Sequence, residues 1–480
     1  MRRHAALMAG GALVLGLTGC EGFLTGPGLD ENPNDPLQPT SRQLLSAVEA
    51  GHFNRNEGQL ARQAAIYVQQ LSGTNNQQLS YATQYQITEQ DVNTFFQQLY
   101  QSGGLLDHRR IQQMAKAEGD AKLEGVAKIL EAFLMGMAAS IWGDLPYREA
   151  VSDVQKPKLD PQQQIYEDMQ KLLDDGIRLL DGAGAGAGKA DYIYGGDVAR
   201  WKRAANTLKA RYHLHTAERL GRPAYEAALA AAQQGINEAP TSVTAATHNQ
   251  AAGDMRAFHG GALAESNLWA QFIAARSDLA AGAVLVNLLN SRAGDPRLAG
   301  YFDPAPAVAA SATCPGFPAG YRGANEFAVF TPHPCAGASN VDTETRRQAT
   351  FRQPLVTWAE NQLIMAEALV ALGRAAEATT HVNNVRRALG LADLPSPVTL
   401  QQVMEEKYIV QFQNIDAWND YKRTCFPRLK PGGISAASRA SEIPGRLPYG
   451  QAERLNNPNI PAPSAQPARN WNDPSPCPSA

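Results

Sequence analysis

The sequence predicts an all-α protein, a body of paired helices with long irregular loops and few short strands. Three observations predict it. Apolar residues recur at spacings of three and four along much of the chain, as one buried helix face requires. Strand-like alternation of apolar and polar residues is scarce. The tripeptide Leu-Gly-Arg stands at the hinge of two helical hairpins, as Leu220-Gly221-Arg222 and Leu372-Gly373-Arg374. The 480 residues are 44% apolar and 19% charged, a globular composition and not a disordered one.

Taken in order, the chain starts with Met1-Arg2-Arg3-His4 and an apolar run over 5–17. A positive start, an apolar middle and small residues before a cleavage point make 1–19 a secretory signal. The run is shorter than the ~20 residues of a membrane span. Leu17-Thr18-Gly19-Cys20 resembles the bacterial lipobox. That implies diacylation of Cys20, by palmitate or a similar chain, and loss of the leader. Two or three acyl chains anchor stably, at ~0.8 kcal/mol per buried methylene. The competing reading is an ordinary signal peptide that contains a Cys. Residues 20–40 hold Gly26-Pro27-Gly28 and Asn32-Pro33-Asn34-Asp35-Pro36 and form a flexible tether. Beyond Cys20 no apolar run approaches spanning length, so 41–480 is expected to be one water-soluble domain held by lipid alone.

Thr40 or Ser41 is placed to cap a first helix ending near Gly51. Over 121–141, Val126, Ile129, Leu130, Phe133, Leu134 and Met137 share one helix face. Asp160-Pro161 is expected to open another, with Gln163 as capping-box partner. Residues 200–221 and 223–236 form one hairpin, and 357–372 and 375–389 a second. Two hairpins of about 34 residues with the same hinge suggest a tetratricopeptide-type repeat. A generic glycine cap would look the same. The Gly-Ala run at 181–190, the segments 238–261 and 295–350, and the tail 431–480 are loops.

Formal net charge is −3, and losing Arg2 and Arg3 leaves 41 Lys and Arg against 46 Asp and Glu. With no basic tract, nucleic acid is not the expected partner. Gly182 to Lys189 mimics a phosphate loop, but it follows a helix, and Ala190 replaces the metal-binding Ser or Thr, so a flexible linker is expected there. GxSxG and HExxH are missing from the sequence. His213 and His215 point to different helix faces and read as surface or boundary residues. Asp174-Asp175 and Glu405-Glu406 read as solvated faces. No metal or other cofactor is expected. Cys314, Cys335, Cys425 and Cys477 are an even set in an exported chain, which favours disulfides. Cys314 and Cys335 flank one loop, which would leave Cys425 to staple the tail through Cys477; three connectivities are possible.

Loops supply aromatic and amide groups. Sugar rings offer apolar faces and hydroxyl edges, which such groups suit. The ligand candidates are Asn75, Asn76, Tyr81, Tyr85, Trp269, Tyr301, Phe317 and Tyr321. Trp142, Trp201, Trp358 and Trp418 read as core.

Five blocks then carry a resemblance: Asn32 to Pro36; Ile141-Trp142-Gly143-Asp144-Leu145-Pro146-Tyr147-Arg148-Glu149-Ala150; Trp358-Ala359-Glu360-Asn361-Gln362-Leu363 running on to Ala368; Asp416-Ala417-Trp418-Asn419-Asp420-Tyr421-Lys422-Arg423-Thr424; and Ile443 to Tyr449 with Asn456 to Asn459. In these the chain resembles the SusD/RagB-like outer-membrane lipoproteins of Bacteroidetes, in the SusD-like branch. The resemblance implies four tetratricopeptide-like helix pairs and a binding protein that is not an enzyme. It also implies capture of a glycan or oligopeptide at the cell surface, beside a SusC/RagA-type TonB-dependent transporter in the outer membrane. No ligand-site motif carries over residue by residue. The competing functions are an envelope scaffold built on helical repeats and a surface-anchored hydrolase.

Overall fold

The computed structural model describes residues 39–85, 87–241, 251–325, 327, 329–433, 441–473 and 475–478. The leader, Cys20 and nearly all of the tether lie outside the described residues.

The first element, α1 (Ser41–Glu57), starts at a capping box. Thr40 accepts from the Gln43 amide, and the Gln43 side chain accepts from the Thr40 amide. The helix runs past the expected stop at Gly51. It is followed by α2 (Gln59–Tyr67), β1 (Leu71–Gly73), α3 (Asn76–Thr83) and α4 (Asn93–Gln98). The next four helices, α5 (Leu105–Ala117), α6 (Ala121–Trp142), α7 (Gln162–Leu179) and α8 (Val198–His215), pack each on the one before. A short α9 (Ala217–Leu220) leads to α10 (Arg222–Ala232), which returns along α8. The irregular middle holds β2 (Met255–Arg256), α11 (Leu268–Ala275), β3 (Leu279–Ala281), α12 (Ala283–Asn290), α13 (Arg297–Tyr301), β4 (Phe302–Asp303), β5 (Asn340–Val341) and β6 (Pro354–Val356). The chain closes with α14 (Trp358–Ala371), α15 (Ala375–Ala388), α16 (Leu400–Val410), α17 (Asp416–Thr424) and α18 (Gln451–Asn456). The second hairpin stacks directly on the first, α14 against α10, and α17 packs back on α2. The strands are two or three residues long and pair antiparallel as β1–β3, β2–β6 and β4–β5. The predicted all-α repeat body with few short strands is what the chain forms.

Gly221 and Gly373 at the two hinges have φ of 63° and 81°. A Cβ at either would meet nothing within 4 Å, so conformation and not space demands glycine there. In α6 the opposite holds. A Cβ on Gly136 would lie 2.2 Å from Cζ of Tyr212 on α8, whose hydroxyl donates to the Ala132 and Phe133 carbonyls of α6. The missing side chain lets the two helices meet.

The Ile141, Trp358 and Asp416 blocks are largely interior. In α14, Glu360 accepts two hydrogen bonds from Arg211, at 2.6 and 2.7 Å, and Asn361 accepts from Thr207. Arg211 also pairs with Asp416 at 2.6 Å. Glu367 pairs with Lys407 and Arg423, which both also reach Asp420. Trp142 donates to the Pro448 carbonyl, Arg446 to the Trp142 carbonyl, and Tyr449 to the Asp144 carbonyl. The Ile141 block and the Ile443 block are thus two halves of one joint. Trp142, Trp201, Trp358 and Trp418 are buried as expected. The cysteines pair as Cys314–Cys335 and Cys425–Cys477.

Several expectations need correction. Asp160 does not cap α7. Its carboxylate accepts from the Tyr147 and Arg148 amides, and Asp144 takes the Gln162 amide instead. Glu406 is not solvated but fully buried, accepting from Arg292, Arg297 and Arg386. Sequence spacing cannot show three guanidiniums arriving from other elements. His215 is buried too, 3.2 Å from both the Tyr166 hydroxyl and Asp416. An apolar helix of spanning length does exist beyond Cys20: α6 has 22 residues, 94% of its most apolar stretch buried within the helical array. The Gly-Ala run is no free linker. Gly186 donates to the Asp120 carboxylate, and Arg42 grips both.

Candidate ligand-binding site

The sequence candidates divide into three groups. Asn75, Asn76 and Tyr85 gather at α3. Asn76 donates to Asp278 at 2.8 Å, and Asn75 donates to the Ser277 carbonyl. Both side chains are exposed. Tyr85 is half-buried, its hydroxyl accepting from the Gly432 amide. Phe317 and Tyr321 are half-exposed on the loop closed by the Cys314–Cys335 bridge, where Phe317 stacks on His333. Tyr81, Trp269 and Tyr301 are core residues. Tyr81 accepts from Gln59, Trp269 is fully covered, and Tyr301 stacks on Phe412 at 4.7 Å with Arg346 over it. No face of these three rings is open to a surface ligand. Their segments look irregular in sequence but fold as short helices packed on the array.

A better platform lies elsewhere. Tyr192 and Phe258 are both exposed, at 44% and 46%. Their rings stack with centroids 5.3 Å apart and an 18° angle between planes. Tyr192 follows the Gly-Ala run, and Phe258 follows β2. Arg352 braces both from behind, donating to the Ala257 carbonyl at 2.9 Å and the Tyr192 carbonyl at 3.1 Å. The Tyr192 amide is held by Glu49 at 2.7 Å.

The pair forms one side of a cleft of about 320 Å³. Its floor is Ala50, Phe53 and Asn54 of α1, and its far wall is Ala264, Glu265, Ser266 and Leu268. His259 joins floor to wall. Its Nε2 lies 2.7 Å from Oε1 of Glu57, and its Nδ1 lies 3.2 Å from the Glu265 carbonyl oxygen. Glu57 also accepts from the Leu268 amide. Burial pushes the Glu57 carboxyl up from its ordinary value, and His259 partly offsets that. No Lys or Arg lines this cleft, and among the described residues no acidic, His or Cys cluster could hold a metal.

Chemically the cleft offers a flat apolar face with a few hydrogen-bonding groups at its edge, Asn54, Ser266 and the Glu265 carboxylate among them, and no cation. Sequence reasoning passed over Tyr192 and Phe258 because each lies in a loop beside small and turn-forming residues, with nothing to join the two. The signal present was Phe258-His259-Gly260-Gly261, an aromatic and a His ahead of two turn residues.

A family model described as SusD-like_2, starch-binding associating with outer membrane, matches residues 33–450. The chain belongs to this SusD-like family. Solved structures agree on the fold. A chitin-binding protein superposes with a TM-score of 0.74 at 22% identity, over 91% of this chain and 100% of its own. A SusD/RagB family protein from Bacteroides thetaiotaomicron gives 0.69 at 21%, over 91% and 100%. A chitin-binding SusD homolog from Flavobacterium johnsoniae gives 0.67 at 17%, over 89% and 98%. No functionally curated protein matches the sequence. Three of the SusD-like blocks recognised in the sequence, Ile141 to Ala150, Trp358 to Ala368 and Asp416 to Thr424, are largely interior, while the cleft residues Tyr192, Phe258 and His259 lie outside all of the blocks.

Proposed function

We propose that this chain is a cell-surface nutrient-binding lipoprotein that captures a glycan in the Tyr192–Phe258 cleft and does no chemistry on it. The observation that carries the reading is the exposed, stacked aromatic pair braced by Arg352. A pyranose lays its C–H face on such rings while its hydroxyls reach Asn54, Ser266 and the His259–Glu57 pair. The family description, with its starch binding and outer membrane, supports a glycan at that surface, and two structural neighbours are titled chitin-binding. In this reading 1–19 is removed, acylated Cys20 sits in the outer membrane facing the exterior, 20–40 is the tether, and 41–480 is one binding domain. The ligand then passes to a SusC/RagA-type TonB-dependent transporter. Asn75, Asn76, Tyr85, Phe317 and Tyr321 are secondary contacts for a longer chain.

The test is calorimetric titration of the mature protein with starch and chitin oligosaccharides. Tyr192→Ala and Phe258→Ala should each weaken binding roughly ten-fold, ~1.4 kcal/mol. A double variant that binds as the parent does would remove the cleft from the proposal. Loss of labelled fatty acid in Cys20→Ala, and co-purification of a transporter with the parent, test the anchor and the partner separately.

A further inference from the structure

Pro467, Arg469, Asn470 and Trp471 lie past the stretch that the family model matches, and they line a second cleft. It measures about 380 Å³ and lies between the C-terminal end of α6 and the tail. Gly143 and Asp144 line one side, Arg469, Asn470 and Trp471 the other, and Arg219 the end. The tail is pinned here. Asn470 donates to the Ser140 carbonyl at 2.9 Å, and a Cβ on Gly143 would lie 2.6 Å from the side-chain Oδ1 of Asn470. Arg219 donates through Nε to the Trp471 carbonyl at 2.5 Å. That bond ties the guanidinium to the residue whose half-exposed indole faces the cleft. Among the described residues, the two terminal nitrogens of Arg219 and the Trp471 indole N–H carry no hydrogen bond. Arg469 donates to Glu442 at 2.6 Å.

This is the reverse of the Tyr192–Phe258 cleft, which no cation lines. We propose that the tail-built cleft is a second ligand site, and that it takes a carboxylated sugar. A uronic acid carries an apolar C–H face and a carboxylate on one ring. Trp471 meets the first. Arg219, with its fork of free N–H groups, meets the second in bidentate fashion. The Arg219–Trp471 bond holds both within reach of a single ring. The proposal does not depend on the first cleft being a glycan site.

The experiment titrates the full mature chain, at low ionic strength, with three probes. These are an oligogalacturonate, a neutral galactose oligomer of the same length, and a short peptide with a free C-terminus. Trp fluorescence and calorimetry read the binding. The oligogalacturonate should saturate, and the neutral oligomer should bind at least ten-fold more weakly. Arg219→Lys, which keeps the charge but not the fork, and Trp471→Ala should each cost ten-fold or more at unchanged thermal midpoint. A Tyr192→Ala, Phe258→Ala double variant should bind the uronate as the parent does. Equal binding of neutral and acidic oligomers, parental affinity in both tail-cleft variants, no saturation by the uronate, or saturation by the peptide alone would each overturn the proposal.

Discussion

Glu406 concentrates in one side chain what holds the irregular middle to the repeat. It is fully buried on α16 and accepts from Arg292 at 2.5 Å, Arg297 at 2.8 Å and Arg386 at 2.6 Å. Burial alone would raise its pKa, but the guanidinium of Arg297, with those of Arg292 and Arg386, outweighs it and holds the carboxyl at about 2. Glu406→Gln keeps the shape and removes the charge. One oxygen becomes an amide that points donors at donors, and three guanidiniums lose their shared anion. Arg297 keeps Asp295 at 2.6 Å, so the loss is not total. Removing one member of such a buried set costs roughly 3–5 kcal/mol. Urea unfolding of parent and variant checks it. A change under ~1 kcal/mol would mean that water replaces the carboxylate.

At the scale of elements, the α6–α8 crossing depends on Gly136. The methyl of Gly136→Ala would fall inside the Tyr212 ring, which two hydrogen bonds to α6 carbonyls keep from swinging away. Overpacking of this kind costs about 1–3 kcal/mol, with no change expected in ligand affinity, since neither residue lines a cleft. A drop in thermal midpoint with parental glycan titration is the expected pair of results. The same crossing explains what was legible in the sequence. Spacings of three and four report a buried face, so the helices and both Leu-Gly-Arg hinges could be read. The four core tryptophans could be read because Trp142 ends a long apolar helix and Trp201, Trp358 and Trp418 begin or sit within helices. Sequence does not report which polar side chains meet across elements. Glu406, His215 and the Asp160–Tyr147 contact were therefore misread. Nor does it tell an aromatic in a loop from one in a short packed helix. Trp269 and Tyr301 looked like ligand groups for that reason, while Tyr192 and Phe258, brought together from 66 positions apart, gave no joint signal.

Across the whole molecule the buried ionisable groups fix how stability depends on pH. Glu367 resembles Glu406: burial raises its pKa, but Arg423 and Lys407 hold it down at about 2. A carboxylate with a depressed folded pKa stabilises above its unfolded value of 4.5, and that contribution is lost as pH falls towards 2. Two further families act at milder pH with opposite signs. His108 and His213 are held down by burial, to about 3 and about 4, and His52 is lowered by burial and by His108. Their unfolded forms take up protons below about 6.5 while the folded forms do not, so stability falls with falling pH there. His108 shows why: it is fully buried, and the nearby Arg55 adds to the cost of a second positive charge, which its Gly104 carbonyl contact at 2.7 Å only partly offsets. Asp254 runs the other way. Burial pushes it up to about 7 despite the Trp358 and Ala251 amides, and Glu49 and Glu57 are also raised by burial. Asp254 stays protonated in the fold and ionises when it opens, so its contribution falls as pH rises from about 4 to about 7, and the raised Glu49 and Glu57 act in the same direction. Histidines and raised acids therefore oppose one another between about 4.5 and 6.5, and only below that do the depressed carboxylates add to the histidines. The expected thermal-midpoint profile is a plateau from about pH 5 to 7 and a steep fall from about 4.5 towards 2. A calorimetric series across that range measures it. A midpoint unchanged down to pH 3 would show that Glu367 and Glu406 can be protonated in place, and that their guanidinium partners do not depend on their charge.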